Sequence, residues 1–295
     1  MSAPSVPTTA FDRATTVRLR EDGVVEASVD SAWSAPTGPN GGYLAAIVVR
    51  ALRAVVDPAG ELRLRSLTLH YLRGAADGPL ELTVELLRRG RRVSSARVRA
   101  RQGDRAVLEG LAAFSAAELP SPVDWTPRLP DVAPPPALDA EGLPVPEYRP
   151  RKGRWIEPLP QMPPVVHQVR LAPQLGGIPL AGRVPEPGGA VETGGWIALP
   201  EPRPIDEPFV ALAADIWWPP VFEAVSRPVI APTVDLTIHF RAGLPPEGLP
   251  PQPIFGHYRS TAASEGFVEE DGLLFLPDGS LLAQSRQLAL LAPVG

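Results

Sequence analysis

Asp215 is the side chain of this sequence best suited to acid–base chemistry. It closes the segment FVALAAD (209–215), in which every other residue is apolar. Burial among apolar side chains disfavours the charged form of a carboxyl group and raises its pKa, so hydrogen bonds are needed to keep it ionised. A carboxylate held in this way can take a proton from water. Asp215 is therefore a candidate general base, and the alternative is a helix-terminal residue just before the WWPP break that interacts with a cap or a neighbouring Arg.

The four histidines offer a second source of acid–base chemistry. His70 and His239 occupy the same place in two similar segments, LTLHY and LTIHF, where they alternate with apolar residues. We favour a symmetric structural position for both over a proton-shuttling one. His167 and His257 have no carboxylate or second histidine at metal-ligand spacing nearby, so we predict no metal site.

Serine nucleophiles and nucleotide-binding loops find no support in the sequence. Ser94, Ser95 and Ser285 lack the GxSxG context of a nucleophile elbow, which argues against an α/β-hydrolase. The chain also carries no Walker or dinucleotide-binding fingerprint. We accordingly predict an enzyme without a cofactor.

Composition narrows the class of protein further. The 295 residues are 44% hydrophobic and 21% charged, with no cysteine, which excludes disulfides and a thiol nucleophile and fits a reducing compartment. The N-terminus lacks the apolar core of a signal peptide, and no stretch reaches the roughly 20 apolar residues of a membrane span. A net charge of -5 disfavours nucleic acid as a partner. We expect a cytoplasmic protein that binds neither membrane nor nucleic acid.

The N-terminal half has the pattern of one helix followed by an antiparallel meander. Residues 40–56 open with Asn and glycines, continue with apolar residues at helical spacing, and end before Asp57 and Pro58. Extended segments separated by turn signals follow at 62–72, 80–90, 92–102 and 105–115.

The C-terminal half repeats this order after a proline-rich stretch. A strand is predicted at 196–200, a helix at 209–225 that Pro219 and Pro220 interrupt, and a second meander at 231–243, 254–275 and 280–292. Together with the LTLHY and LTIHF match, this agreement indicates an internal duplication. We predict a first unit at 1–119, a linker at 120–190 with pieces at 154–159 and 165–171 able to pack as strands, and a second unit at 191–295.

Several motifs resemble the acyl-CoA thioesterase II family. They are the Gly41-Gly42 helix opening, SLTLHYLRG (66–74) and GRRVSSARV (90–98) in the first half, and in the second ALAAD (211–215), PTVDLTIHFR (232–241), STAASEGFVEEDG (260–272) and DGSLLAQSRQ (278–287). The resemblance covers nearly the whole chain except the proline-rich middle. It implies an α+β double hotdog, in which two tandem antiparallel sheets each wrap around a central helix and join into one continuous sheet.

The resemblance also implies the activity and the site. Members of the family use an Asp, a Thr and a Gln to orient a nucleophilic water, and Asp215, Thr233 and Gln287 occupy those motif positions. The expected reaction is hydrolysis of acyl-CoA to free acid and CoA. Unpaired amides at the helix start, from Asn40 through Gly41 and Gly42, are candidates for binding the thioester carbonyl, and a tight turn needed for packing explains the two glycines equally well.

Other interpretations remain open at this point. Arg91, Arg92 and Arg97 are candidates for a nucleotide phosphate such as that of CoA or for ordinary solvated surface. The same architecture could support an enoyl-CoA hydratase, although no Asp–His pair stands near Asp215, or a non-catalytic acyl-CoA-binding protein. By analogy with the family we expect a homo-oligomer, and among the possible assemblies we favour a dimer.

Overall fold

The computed structural model describes residues 9–117, 119–139, 144, 152–177 and 179–294. In the N-terminal half a short helix, four strands and a 3-10 helix precede a long central helix, and four long strands follow it. The elements are α1 Ala10–Ala14, β1 Arg18–Leu19, β2 Val24–Val29, a 3-10 helix Ser31–Trp33, β3 Ser34–Ala35, β4 Gly38–Pro39, α2 Gly41–Val56, β5 Leu62–Tyr71, β6 Gly78–Arg88, β7 Val93–Gln102 and β8 Arg105–Ala116.

The C-terminal half has a shorter central helix and the same succession of strands. Its elements are α3 Pro164–His167, β9 Arg170–Leu175, β10 Val191–Ala198, α4 Glu207–Ala213, a 3-10 helix Pro220–Glu223, β11 Val229–Ile230, β12 Thr233–Phe240, β13 Ile254–Ser260, β14 Ala263–Ser264, β15 Phe267–Phe275, β16 Leu281–Leu290 and β17 Ala292–Pro293.

One continuous antiparallel sheet joins the two halves. Its strand order is β1-β2-β6-β7-β8-β5-β12-β16-β15-β13-β10-β9, so the second half of the order mirrors the first about the β5–β12 junction. The helices α2 and α4 pack against each other inside this sheet. The double hotdog predicted from the sequence is thereby confirmed. Joining the halves edge to edge also pairs two strand edges that would otherwise be open.

The LTLHY and LTIHF segments form the junction itself. Thr68 pairs with Thr237 in the register of β5 and β12, and their hydroxyl oxygens lie 3.0 Å apart. Because residues on either side pair symmetrically, this point is the centre of a local twofold relation between the halves. His70 and His239 are both exposed, as expected for a symmetric position on the outer face of the sheet.

Helix α2 starts and ends at the signals read in the sequence. The Asn40 side chain accepts a hydrogen bond from the Tyr43 amide at 2.9 Å, which satisfies one of the free amides of the first turn. Asp57 caps the other end, where its amide donates to the Arg53 carbonyl. The helix is buried along most of its length, which explains its apolar composition.

The second central helix is shorter than the predicted span 209–225, which was wrong in its extent. Helix α4 ends at Ala213, and only a 3-10 turn follows at Pro220–Glu223. A proline in a helix clashes with the carbonyl four residues earlier and has no amide to donate to it. For Pro219 that carbonyl belongs to Asp215, which instead accepts a hydrogen bond from the Asn40 side chain at 2.8 Å.

The predicted linker contributes secondary structure to the fold. Strand β9 pairs with β10 at the edge of the sheet, with Leu171 opposite Ile197. Of the two pieces expected to pack as strands, 165–171 is divided between helix α3 and the start of β9, and 154–159 has only an isolated bridge position at Ile156. Residues 140–143, 145–151 and 178 of the predicted linker lie outside the described residues, and the boundaries 1–119, 120–190 and 191–295 stay a prediction.

Membrane crossing by a helix finds no support in the fold. Among the residues that the structure describes, no helix combines the length and apolar character that a bilayer span requires.

Candidate active site

Asp215 lies where the two halves meet, just beyond the end of α4 and against the first turn of α2. Its Oδ2 atom accepts hydrogen bonds from the Gly42 amide at 2.9 Å and from the Asn40 side chain at 3.2 Å. Asn40 and Gly42 belong to the N-terminal half, whereas Asp215 belongs to the C-terminal half. The site is therefore complete only when both halves of the duplication are present.

Two glycines allow this close approach. A Cβ atom on Gly42 would stand 2.6 Å from the Leu212 carbonyl oxygen, and one on Gly41 would stand 2.8 Å from Asp215 Oδ2. Both distances are shorter than a Cβ atom can tolerate, the first to a backbone oxygen and the second to the Asp215 side chain. The Tyr71 hydroxyl, which donates to the Gly41 carbonyl at 2.7 Å, fixes the turn from the other side. Glycine is thus required here for packing α2 onto α4.

The protonation of Asp215 reflects opposing influences. Burial raises the pKa of its carboxyl from 3.8 to about 6, and hydrogen bonds from the Gly42 amide, the Gln287 side chain, the Gly41 amide and the Asn40 side chain hold it from rising further. At neutral pH the carboxyl is mostly ionised. It therefore has the properties of a general base whose pKa lies near its working pH.

Thr233 and Gln287 are in direct contact with each other. The Thr233 hydroxyl donates to Gln287 Oε1 at 2.8 Å, and Gln287 Nε2 donates to Glu270 Oε1 at 2.8 Å. We call Thr233, Gln287 and Glu270 the polar cluster. A threonine hydroxyl has one hydrogen, and in this arrangement Thr233 gives it to Gln287.

Glu270 contacts Gln287 and was not among the residues predicted from the sequence. It lies on β15 directly opposite Gln287 of β16, and only 6% of each residue is exposed. Burial, more than the nearby charge of Asp215, raises the pKa of the Glu270 carboxyl from 4.5 to about 8, while the Gln287 hydrogen bond lowers it. The sequence FVEEDG (267–272) contained a signal for this residue. Because successive side chains of a strand point to opposite faces of the sheet, one of two adjacent acidic residues must face inward.

The polar cluster has no counterpart in the first half of the duplication. The twofold relation at the β5–β12 junction assigns each residue of one half an equivalent position in the other. By this relation Ala112 of β8 is equivalent to Gln287, and Ala96 of β7 is equivalent to Glu270. Both alanines are buried. The described residues therefore contain one such cluster in a framework built twice.

The remaining predicted residues are placed differently. Asn40, Gly41 and Gly42 adjoin Asp215, but the Gly42 amide is not free as expected, because it donates to the carboxylate. Arg91 and Arg92 lie in the exposed turn between β6 and β7, and in the described part of the chain no hydrogen bond or ion pair links them to Asp215. Nor do the described residues include a group of three or more acidic or histidine side chains arranged to hold a metal.

Sequence and structure comparisons agree with this architecture. Residues 29–115 match the acyl-CoA thioesterase N-terminal domain, and residues 133–291 match the acyl-CoA thioesterase C-terminal domain. No curated protein sequence matches the chain significantly.

Solved structures resemble the chain over almost its whole length. A conserved hot dog fold protein of unknown function from Alicyclobacillus acidocaldarius is 24% identical with a TM-score of 0.80, covering 97% of this chain and 100% of its own. A protein provisionally described as a thioesterase II from Thermobifida fusca is 27% identical with a TM-score of 0.72, covering 97% and 99%. The acyl-CoA thioesterase II TesB2 from Mycobacterium marinum is 18% identical with a TM-score of 0.69, covering 97% and 99%. With both of its domains matched, the chain belongs to the acyl-CoA thioesterase family and is a hydrolase of the double-hotdog type.

Proposed function

We propose that this protein hydrolyses acyl-CoA to the free acid and CoA with a water molecule that Asp215 activates. The observation that carries the proposal is the Asp215 carboxylate, which is mostly buried yet held by the Gly42 amide and the Asn40 side chain. A carboxylate in this setting can accept a proton at neutral pH without forming a covalent intermediate. Thr233 and Gln287 complete the site.

Each residue has a distinct part in the reaction. Asp215 takes a proton from the water as the water oxygen bonds to the thioester carbon, and the C–S bond breaks when the tetrahedral intermediate collapses to release the thiolate of CoA. Gln287, whose carboxamide lies close enough to Asp215 to lower its pKa, orients the water. Thr233 holds the Gln287 carboxamide in place. The proton on Asp215 then leaves to solvent or to the thiolate.

The start of helix α2 stabilises negative charge before and after Asp215 takes the proton from water. The partial positive charge at the N-terminus of a helix stabilises anions close to its first turn. In this proposal Asn40, Gly41 and Gly42 stabilise the Asp215 carboxylate first, and they stabilise the developing oxyanion of the substrate once Asp215 is protonated. Arg91 and Arg92 remain candidates for the CoA phosphates.

Release of free thiol from a panel of acyl-CoA substrates tests the proposal. Asp215→Asn preserves the shape of the side chain but cannot accept the proton, so kcat should fall by about 10²- to 10⁴-fold. Asp104→Asn, which removes the same charge from an exposed turn, is the matched control. Equal rates for wild type and Asp215→Asn would remove Asp215 from the mechanism.

Two other functions have distinct outcomes in the same assays. A non-catalytic acyl-CoA-binding protein would bind the substrate and release no thiol. An enoyl-CoA hydratase would add water to crotonyl-CoA and leave the thioester intact. We also propose that the protein acts in fatty acid metabolism, in the cytoplasm and as a homodimer. Light scattering tests the dimer.

A further inference from the structure

Glu270 is placed as part of the site although the reaction above does not use it. Strand β15 alternates, so Val268, Glu270, Gly272 and Leu274 are all buried on the inner face of the sheet. Glu270 therefore lies inside the sheet with the other two residues of the polar cluster, and it accepts the hydrogen bond from Gln287. A carboxyl group in this position has a large effect on its neighbours whichever form it takes.

The charges around Glu270 are all negative. Asp215 faces it across the site, and Glu269 and Asp271 flank it on β15; each of these charges raises the pKa of Glu270. The Tyr258 hydroxyl of β13 faces both Glu270 and Asp215, and burial more than these charges raises the pKa of Tyr258, which stays neutral. In the part of the chain that the structure describes, no arginine, lysine or histidine forms an ion pair with Glu270. Without a cation nearby, a buried carboxyl group is favoured in its neutral form.

We propose that Glu270 is a positioning residue of the hydrolytic site, which stays a neutral acid beside the ionised Asp215 and orients the Gln287 carboxamide. The proposal rests on the proposed function. The Thr233 hydroxyl donates a hydrogen bond to Gln287 Oε1, and Glu270 accepts one of the two hydrogens on Gln287 Nε2. The second hydrogen is thereby directed to Asp215 and the water it activates.

Ionisation of Glu270 works against the reaction. A second negative charge beside Asp215 raises the free energy of the Asp215 anion and of the oxyanion that forms on the substrate. The neutral form of Glu270 keeps the Gln287 hydrogen bond without adding that charge. Turnover should therefore fall as the pH rises through the pKa of Glu270, which is about 8.

Three variants separate orientation from charge. Glu270→Gln keeps an oxygen that accepts from Gln287 and removes the titration, whereas Glu270→Leu removes the acceptor as well. Asp271→Asn removes a neighbouring charge from the opposite face of β15 and is the matched control. Each is assayed for kcat and KM in thiol release from about pH 5 to about pH 9.5.

The wild type should lose activity above about pH 8, and Asp271→Asn should lose it at a slightly lower pH because one of the charges that raise the pKa of Glu270 is gone, whereas Glu270→Gln should not lose activity in this range. Glu270→Leu should lower kcat by about 10- to 100-fold with little change in KM, because it leaves a buried Gln287 donor unpaired. If Glu270→Leu does not fold, the pH profile of Glu270→Gln decides. A fall above pH 8 that persists in Glu270→Gln would overturn the proposal.

The side-chain amide signal of Gln287 gives a readout that does not depend on turnover. In ¹H–¹⁵N spectra this signal is identified by its loss in Gln287→Leu. It should titrate in two steps, near the pKa of Asp215 and near that of Glu270, and the upper step should disappear in Glu270→Gln. No upper step in the wild type would overturn the proposal for Glu270. A wild type with both steps and no thiol release would overturn the proposed function and leave the positioning of Gln287 by Glu270 standing.

Discussion

Replacing Asp215 by asparagine is expected to stabilise the folded protein at the same time as it abolishes turnover. Burial raises the pKa of the Asp215 carboxyl from 3.8 to about 6. One pKa unit corresponds to about 1.4 kcal/mol, so keeping this carboxylate ionised in the native state costs about 3 kcal/mol. Asparagine keeps an oxygen for the Gly42 amide and carries no charge at any pH.

The pH dependence of this difference has a definite direction. Because the folded-state pKa lies above the unfolded value, the native state binds the proton more tightly than the unfolded state. The favourable contribution of the protonated carboxyl is complete below about 3.8 and is lost as the pH rises through about 6. Integrating this linkage, the free energy of unfolding of Asp215→Asn relative to wild type should increase by about 1.5 kcal/mol between pH 5 and pH 8.

Urea denaturation of both proteins at several pH values between these limits measures the difference directly. Asp104→Asn controls for the loss of one negative charge from the whole chain, and its difference from wild type should not change over this range. Loss of the Asp215 charge also lowers the pKa of Glu270, so the variant loses less stability than the wild type as Glu270 ionises, and this adds to the increase between pH 5 and pH 8. A difference that stays constant with pH, or one that decreases towards pH 8, would refute the assignment of a raised pKa to Asp215.

Three further predictions concern activity and packing at the site. The wild-type kcat/KM for thiol release should increase about tenfold per pH unit below about pH 6, because Asp215 must be ionised; a flat profile there would contradict a carboxylate base. Thr233→Val, which removes the donor to Gln287 Oε1, should lower kcat by about tenfold while Thr233→Ser retains most of it, and equal rates for the two variants would show that the hydroxyl is dispensable. Gly42→Ala places a Cβ atom 2.6 Å from the Leu212 carbonyl oxygen, so urea denaturation should show a loss of about 1–3 kcal/mol. In the control Gly74→Ala the nearest atom, the Thr37 carbonyl oxygen, is 3.7 Å away, and a similar loss in both variants would remove the steric explanation.

The arrangement of the fold followed from local patterns that the chain carries twice. Apolar spacing and the Asn40 and Asp57 boundaries placed α2 correctly, and the LTLHY and LTIHF match indicated the duplication. That these two segments pair at the centre of the sheet is a finding of the structure. Helix α4 was predicted too long, because it ends at Ala213, ahead of the prolines, and the Asn40 side chain instead of a helix amide donates to the Asp215 carbonyl. A short stretch of sequence around α4 contains the prolines but not Asn40, which is 175 residues away from Asp215.

By itself, the sequence determined the duplication and the strands in which Thr233 and Gln287 lie. The resemblance of the motifs to the family identified Asp215, Thr233 and Gln287, and the apolar neighbours of Asp215 agreed with a buried carboxylate. Only the tertiary structure decided that the Gly42 amide bonds to Asp215, that Thr233 donates to Gln287, and that Glu270 receives the Gln287 amide. Those contacts depend on strand register and on the approach of two helices from opposite halves of the chain. Short-range periodicity assigns a side chain to a face, whereas its partners across that face are set by packing between segments that are distant in sequence.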